Sequence, residues 1–159
     1  MASIEGFRVQ NYRALKDITI GRLWNQRDTP PLTPLVAVIG KNGTGKSTLF
    51  DSFGFLSDCL ALGVEEACWK QRGGFDRLVS SGAKEPIRFE IYYRESPAER
   101  PITYELSIGR DRSGRAYVAE ERLRQRRKGA TRGWPHHTAD SHPRKVVTGC
   151  AVTGSLSVS

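Results

Sequence analysis

Little in this chain points to a membrane or to export. No apolar run approaches the roughly 20 residues that a membrane-spanning helix needs, and Met1-Ala2-Ser3-Ile4-Glu5 lacks the basic-then-apolar pattern of an export signal. Cysteine is scarce. Cys59, Cys68 and Cys150 follow no metal-ligand spacing. Their odd number, without an export signal, predicts free thiols and a cytoplasmic location. Acidic residues are outnumbered: 25 Lys and Arg face 17 Asp and Glu, a net charge of +8. That balance favours polyanionic partners, nucleotide or nucleic acid, and says nothing about fold. With 38% apolar and 26% charged residues in 159, the chain can build a core and is one domain or part of one.

The informative stretch is Gly40-Lys41-Asn42-Gly43-Thr44-Gly45-Lys46-Ser47-Thr48. It fits G-x-x-x-x-G-K-[ST], the phosphate-binding P-loop. Leu35-Val36-Ala37-Val38-Ile39 precedes it and has the length and composition of a buried strand. Gly43 and Gly45 let the backbone curl so that successive N–H groups form an anion-binding nest. The helix expected from Lys46 aims its positive dipole end at the same place. Lys46 would reach the β- and γ-phosphates of ATP, Ser47 would ligate Mg²⁺, and Thr48 would donate to the α-phosphate. Gly40, Asn42 and Thr44 complete the cradle. The predicted ligand is Mg–ATP.

Before the P-loop, Ile4 to Gln10 alternates as a strand with Phe7 and Val9 inward, and Asp17-Ile18-Thr19-Ile20 is its hairpin partner. Residues 22–34 hold three prolines and read as a loop. After Ser47, Leu49, Phe53, Leu56 and Leu60 are spaced as one helix face, widened by Phe50, Phe55 and Cys59. This predicts a helix over 46–62, about 25 Å long, ended by Gly63. Gly54 inside it implies close packing or a bend. A short helix carrying Trp69 is expected over 64–70. Three strands follow: 87–94, 102–108 and 117–124, with turns at 95–100 and 110–114, an antiparallel meander.

A hairpin ahead of the P-loop resembles the heads of ABC-type ATPases, specifically the RecF and SMC branch. Phe7-Arg8-Val9-Gln10-Asn11-Tyr12-Arg13-Ala14-Leu15-Lys16-Asp17 is similar to the family's N-F-R-x-L-K-D opening, and the Asn42-Gly43 pair is typical of the branch. The likeness is to bacterial RecF-like AAA family ATPases and covers residues 3 to about 135. It implies an α/β P-loop NTPase fold with an antiparallel β-subdomain, a DNA-directed role in repair, chromosome maintenance or anti-phage defence, and a second head as partner. It also implies an arginine near nucleotide or DNA after the P-loop helix, for which Arg72 and Arg77 are the candidates. Tyr12 is a candidate to read the adenine. Arg122, Arg124, Arg126, Arg127 and Lys128 form a basic run that either contacts a DNA backbone or ends a strand in solvent.

Turnover in such a head needs four apolar residues ending in Asp-Glu, a signature serine with glycines, and a switch histidine. The dipeptide Asp-Glu does not occur in the chain. Ile91-Tyr92-Tyr93-Arg94-Glu95 has Arg94 where Asp is required, and Gly154-Ser155-Leu156-Ser157 lacks the second glycine of a signature. No catalytic residue is assigned. Residues 131–159 lose periodicity and read as a disordered tail, as a frameshift or premature end would leave. The expected organisation is therefore an incomplete head: residues 1–130 as an N-terminal lobe that binds ATP, and a tail. The absent lobe would leave the lobe's sheet partly uncovered. The remaining readings are a stand-alone nucleotide-binding regulatory module and a small P-loop kinase.

Overall fold

The computed structural model describes residues 2–26 and 28–125. Five strands, β1 (Ser3–Tyr12), β2 (Leu15–Gly21), β3 (Ile87–Arg94), β4 (Ile102–Arg110) and β5 (Ala116–Gln125), form one sheet in the order β2-β1-β3-β4-β5. Every pairing is antiparallel. The predicted hairpin and meander are thus joined edge to edge by β1 and β3. Between them the chain makes two helices, α1 (Lys46–Leu62) and α2 (Val64–Arg72), and a 3-10 turn, Phe75–Arg77.

Period-two alternation sorts the strands' side chains onto two faces. Val9, Phe89 and Leu106 lie opposite one another in one row, and Phe7, Ile91 and Tyr104 in the next. This face receives α1. Phe53 stacks on Phe7 with ring centroids 4.0 Å apart, and Phe55 sits between Tyr12 at 5.4 Å and Phe89 at 6.0 Å. The other face is polar, with a cross-strand row of Arg8, Glu90, Glu105 and Arg122. There Arg8 holds the Asp17 carboxyl below its usual range by donating to it at 2.6 Å. Burial, then Glu105 directly opposite, pushes the Glu90 carboxyl up. The register shifts between Ile4 and Gly6, and the lack of a side chain at Gly6 lets Arg22 cross closely, since a Cβ there would stand 1.7 Å from the Arg22 carbonyl oxygen.

Three expectations are corrected. Residues 35–39 form no strand: Leu35 is 86% and Ile39 93% exposed, and only Val38 packs on the core. A strand exists only beside a neighbour that takes its N–H and C=O groups, and the five-stranded sheet lies elsewhere. In α1 the buried stripe is Leu49, Ser52, Phe55, Leu56 and Cys59. Phe50, on the opposite side, is 61% exposed and Leu60 60%. Gly54 is not forced by packing, because an added Cβ would be 3.7 Å from Arg72 Nη2, an ordinary contact. Cys59 and Cys68 are buried free thiols. Burial pushes them up to about 12 and about 11, so both stay protonated at neutral pH.

Leu35, Val36, Ile39, Phe50 and Leu60 leave large apolar side chains in solvent, the surface that favours association. The isolated chain is expected to self-associate as its concentration rises. Sedimentation velocity over a dilution series checks this; a single monomeric species throughout would contradict it. No helix among the described residues is long and apolar enough to cross a membrane.

Candidate phosphate-binding site

The nine residues 40–48 turn from irregular backbone into the first turn of α1. Two glycines make the turn possible. Gly43 has φ +83° and Gly45 φ +92°, a region that side chains with a Cβ rarely enter. At Gly45 a Cβ would also press to 3.0 Å from Leu15 Cδ2. Thr44 closes the loop, its N–H donating to the Lys41 carbonyl at 3.4 Å and its hydroxyl to the same oxygen at 2.8 Å. The Lys46 ammonium folds back over the loop, donating to the Gly40 carbonyl at 2.5 Å and the Lys41 carbonyl at 2.7 Å.

Gly45 is the N-cap of α1, and no side chain caps it. The first helical bond runs from Leu49 N–H to the Gly45 carbonyl at 2.8 Å. The N–H groups of Lys46, Ser47 and Thr48 precede it and have no acceptor within the helix. Ser47 is exposed beside them, as is Asn42 in the loop. The arrangement offers backbone donors, a helix dipole, one mobile cation and one hydroxyl, a donor set that fits a polyphosphate with its Mg²⁺.

The other candidates lie elsewhere. Tyr12 is fully buried and its hydroxyl donates to Asp51 Oδ2 at 2.5 Å, so its ring cannot stack on an adenine. Burial and that bond push its phenol well above the usual range. Arg72 is buried along α1, its Nη1 2.6 Å from Asp58 Oδ2 and its Nη2 3.5 Å from Asp51 Oδ1. Arg77 is exposed and folds over Gly73. On β5, Arg122 pairs with Glu120 and Arg124 with Glu105, and Arg124 also covers the Trp24 ring at 5.4 Å. Arg126, Arg127, Lys128 and the tail lie outside the described residues.

Sequence reading missed the carboxylate of Asp51, which gathers Tyr12, Arg13 and Arg72. Two signals mark it. It stands four residues after Ser47, and Asp58 repeats its face seven residues on with Phe55 between. A second apolar-then-acidic stretch, Ala116 to Glu121, also went unread. It lies on the edge strand β5, where Glu120 pairs with Arg122 and Glu121 accepts from the Tyr104 hydroxyl at 2.8 Å.

The model of a family described as "AAA domain, putative AbiEii toxin, Type IV TA system" matches residues 35–158. The match begins at the exposed segment before the P-loop, includes both helices and β3 to β5, and runs on past the described residues. The hairpin of β1 and β2 precedes it. No curated protein matches the chain.

Proposed function

Because the chain belongs to this family of AAA domains, we propose that its P-loop binds Mg–ATP and that it is the ATP-binding lobe of a RecF- and SMC-like ATPase acting on DNA. The observation that carries the nucleotide reading is the start of α1: three N–H groups without helical acceptors under a left-handed glycine cap, with the Lys46 ammonium poised over the same loop. Gly40, Asn42, Gly43, Thr44 and Gly45 shape the cradle, Lys46 and Thr48 reach phosphates, and Ser47 would hold Mg²⁺. The hairpin ahead of the P-loop, with Asn11-Tyr12-Arg13-Ala14-Leu15 around its turn, supports the RecF and SMC branch. A second head, as a homodimer, and DNA are the partners of this reading. The family description also names a toxin–antitoxin system, which suits a role in defence.

Phosphoryl transfer depends on positioned charges. A chain without Asp-Glu after an apolar run lacks the aspartate that would join Ser47 on the metal and the glutamate that would polarise the attacking water. The lobe therefore binds ATP without turning it over. Titration calorimetry with Mg–ATP should show one site per chain, and phosphate release should stay at the level of a Lys46→Ala control with and without duplex DNA. Absence of binding would overturn the nucleotide reading. Turnover stimulated by DNA would overturn the claim of inactivity.

The same lack of Asp-Glu favours a second reading, a regulatory module that binds nucleotide and never hydrolyses it. It differs in its partners: such a module would bind neither DNA nor a second head when nucleotide is bound. The kinase reading needs an arginine-bearing lid after the P-loop; the antiparallel meander there argues against it.

A further inference from the structure

Three segments meet on one carboxylate a single turn beyond the P-loop. Asp51 follows Ser47 by four residues, so the two side chains leave the same side of α1. Asp51 Oδ2 accepts from Tyr12 Oη at 2.5 Å and pairs with Arg13 Nη1 at 2.9 Å. Asp51 Oδ1 faces Arg72 Nη2 at 3.5 Å, and Arg72 continues to Asp58 at 2.6 Å with its guanidinium 5.1 Å over the Phe55 ring. The assembly is sheltered: Tyr12 is fully buried and the Arg72 side chain is 7% exposed.

The hairpin turn that supplies Tyr12 and Arg13 also touches the P-loop, where Leu15 stands against Gly45. Residues 12–15 thus bracket the start of α1, Leu15 on the loop and Tyr12 and Arg13 on the helix. The turn is bent to do so. Asn11 and Arg13 both take left-handed backbone, with φ +58° and +48°, and Arg13 N–H is anchored on the Leu78 carbonyl at 2.6 Å. Such conformations cost energy in residues other than glycine and persist only where the surroundings impose them.

We propose that Asp51 is a positioning residue for the phosphate site: by tying the hairpin turn to α1 it sets how the N–H groups of Lys46, Ser47 and Thr48 and the Ser47 hydroxyl are presented. The inference rests on the nucleotide-binding reading above. A constellation of donors binds well only when it is held within about 0.5 Å of its productive geometry, and the first turn of α1, which no side chain caps, is held by buried Leu49 and by the Asp51 contacts. Asp51 never contacts the ligand in this account. It acts through the orientation of its own helix.

Two substitutions test it in the full chain. Asp51→Asn keeps the shape and removes the charge that Arg13 and Arg72 answer. Tyr12→Phe removes one hydrogen bond. Mg–ATP affinity is measured well below each variant's melting temperature, with Ile108→Val as a control that loosens β4, two strands from the hairpin. We expect Asp51→Asn to weaken binding about tenfold, Tyr12→Phe about threefold, and the double variant to be no weaker than Asp51→Asn, because the Tyr12 hydroxyl works through Asp51. The control should melt lower with unchanged affinity. Wild-type affinity in a folded Asp51→Asn protein overturns the inference. If that variant does not fold, unchanged affinity in Tyr12→Phe overturns it instead. Absence of binding by the wild type would defeat the nucleotide reading itself, and this inference with it.

Discussion

Lys46→Ala is expected to abolish measurable Mg–ATP binding while leaving the fold in place. The ammonium would contact two phosphates, and each charge-assisted hydrogen bond lost costs about 1.5–3 kcal/mol. Affinity should fall on the order of a hundredfold or more. The stability change should be small. In the free protein Lys46 donates only to the Gly40 and Lys41 carbonyls of an exposed loop, where water replaces it at little cost. Titration calorimetry paired with thermal melts separates the two effects. Affinity close to wild type in the folded variant would refute the assignment of residues 40–48 as the phosphate site.

The largest expected loss of stability comes from Phe55→Ala. The ring is fully buried at the junction of helix and sheet, 5.4 Å from Tyr12 and 6.0 Å from Phe89, with the Arg72 guanidinium 5.1 Å above it. Removing a buried phenylalanine costs about 3–5 kcal/mol, against a total of about 5–15 kcal/mol for a domain. It also takes the platform from under a buried guanidinium. Phe50→Ala, five residues earlier on the same helix, should change stability by about 0.5 kcal/mol or less, because that ring faces solvent. Urea denaturation with an unchanged slope measures both. Equal losses at the two positions would contradict the packing described for α1.

Much of this contrast was hidden in the sequence. The bounds of α1 were legible because Gly45 and Gly63 flank an apolar period, and the structure places the helix over Lys46–Leu62 as read. The strands were legible because Phe7, Val9, Ile87 and Phe89 alternate with polar residues and one face of the sheet is buried. Which side of α1 meets the sheet was legible in part: Leu49, Phe53 and Leu56 pack on the core as their spacing predicts, whereas Leu60 and Phe50 do not. Phe50 and Phe55 are the same residue type in one helix, and only the three-dimensional course of β1 and β3 decides which is covered. The strand expected over 35–39 failed for the same reason: five apolar residues announce a tendency, and pairing needs a neighbour that no local pattern names. In the loop, the left-handed backbone of Gly43 and Gly45 was readable from spacing. Asp51 was not, since its partners Tyr12, Arg13 and Arg72 lie 39, 38 and 21 positions away along the chain. Tyr12 was misread because its place in the opening motif suggested a ligand contact, whereas its ring belongs to the core.

The P-loop has unequal shoulders. On one side α1 is pinned to the sheet by Phe53, Phe55 and the Asp51 contacts. On the other, residues 35–39 carry no ladder hydrogen bonds and rest on the core through Val38 alone. Fixing one residue's backbone costs roughly 1–2 kcal/mol of conformational entropy. A ligand that settles the loop must then also settle part of this arm, and its net affinity is lowered by that ordering. The helix side contributes preorganised donors, the arm side a conformational tax. Whatever restrains residues 35–39 would raise the affinity of the loop without touching the ligand, because the ordering would already be done when the phosphates arrive.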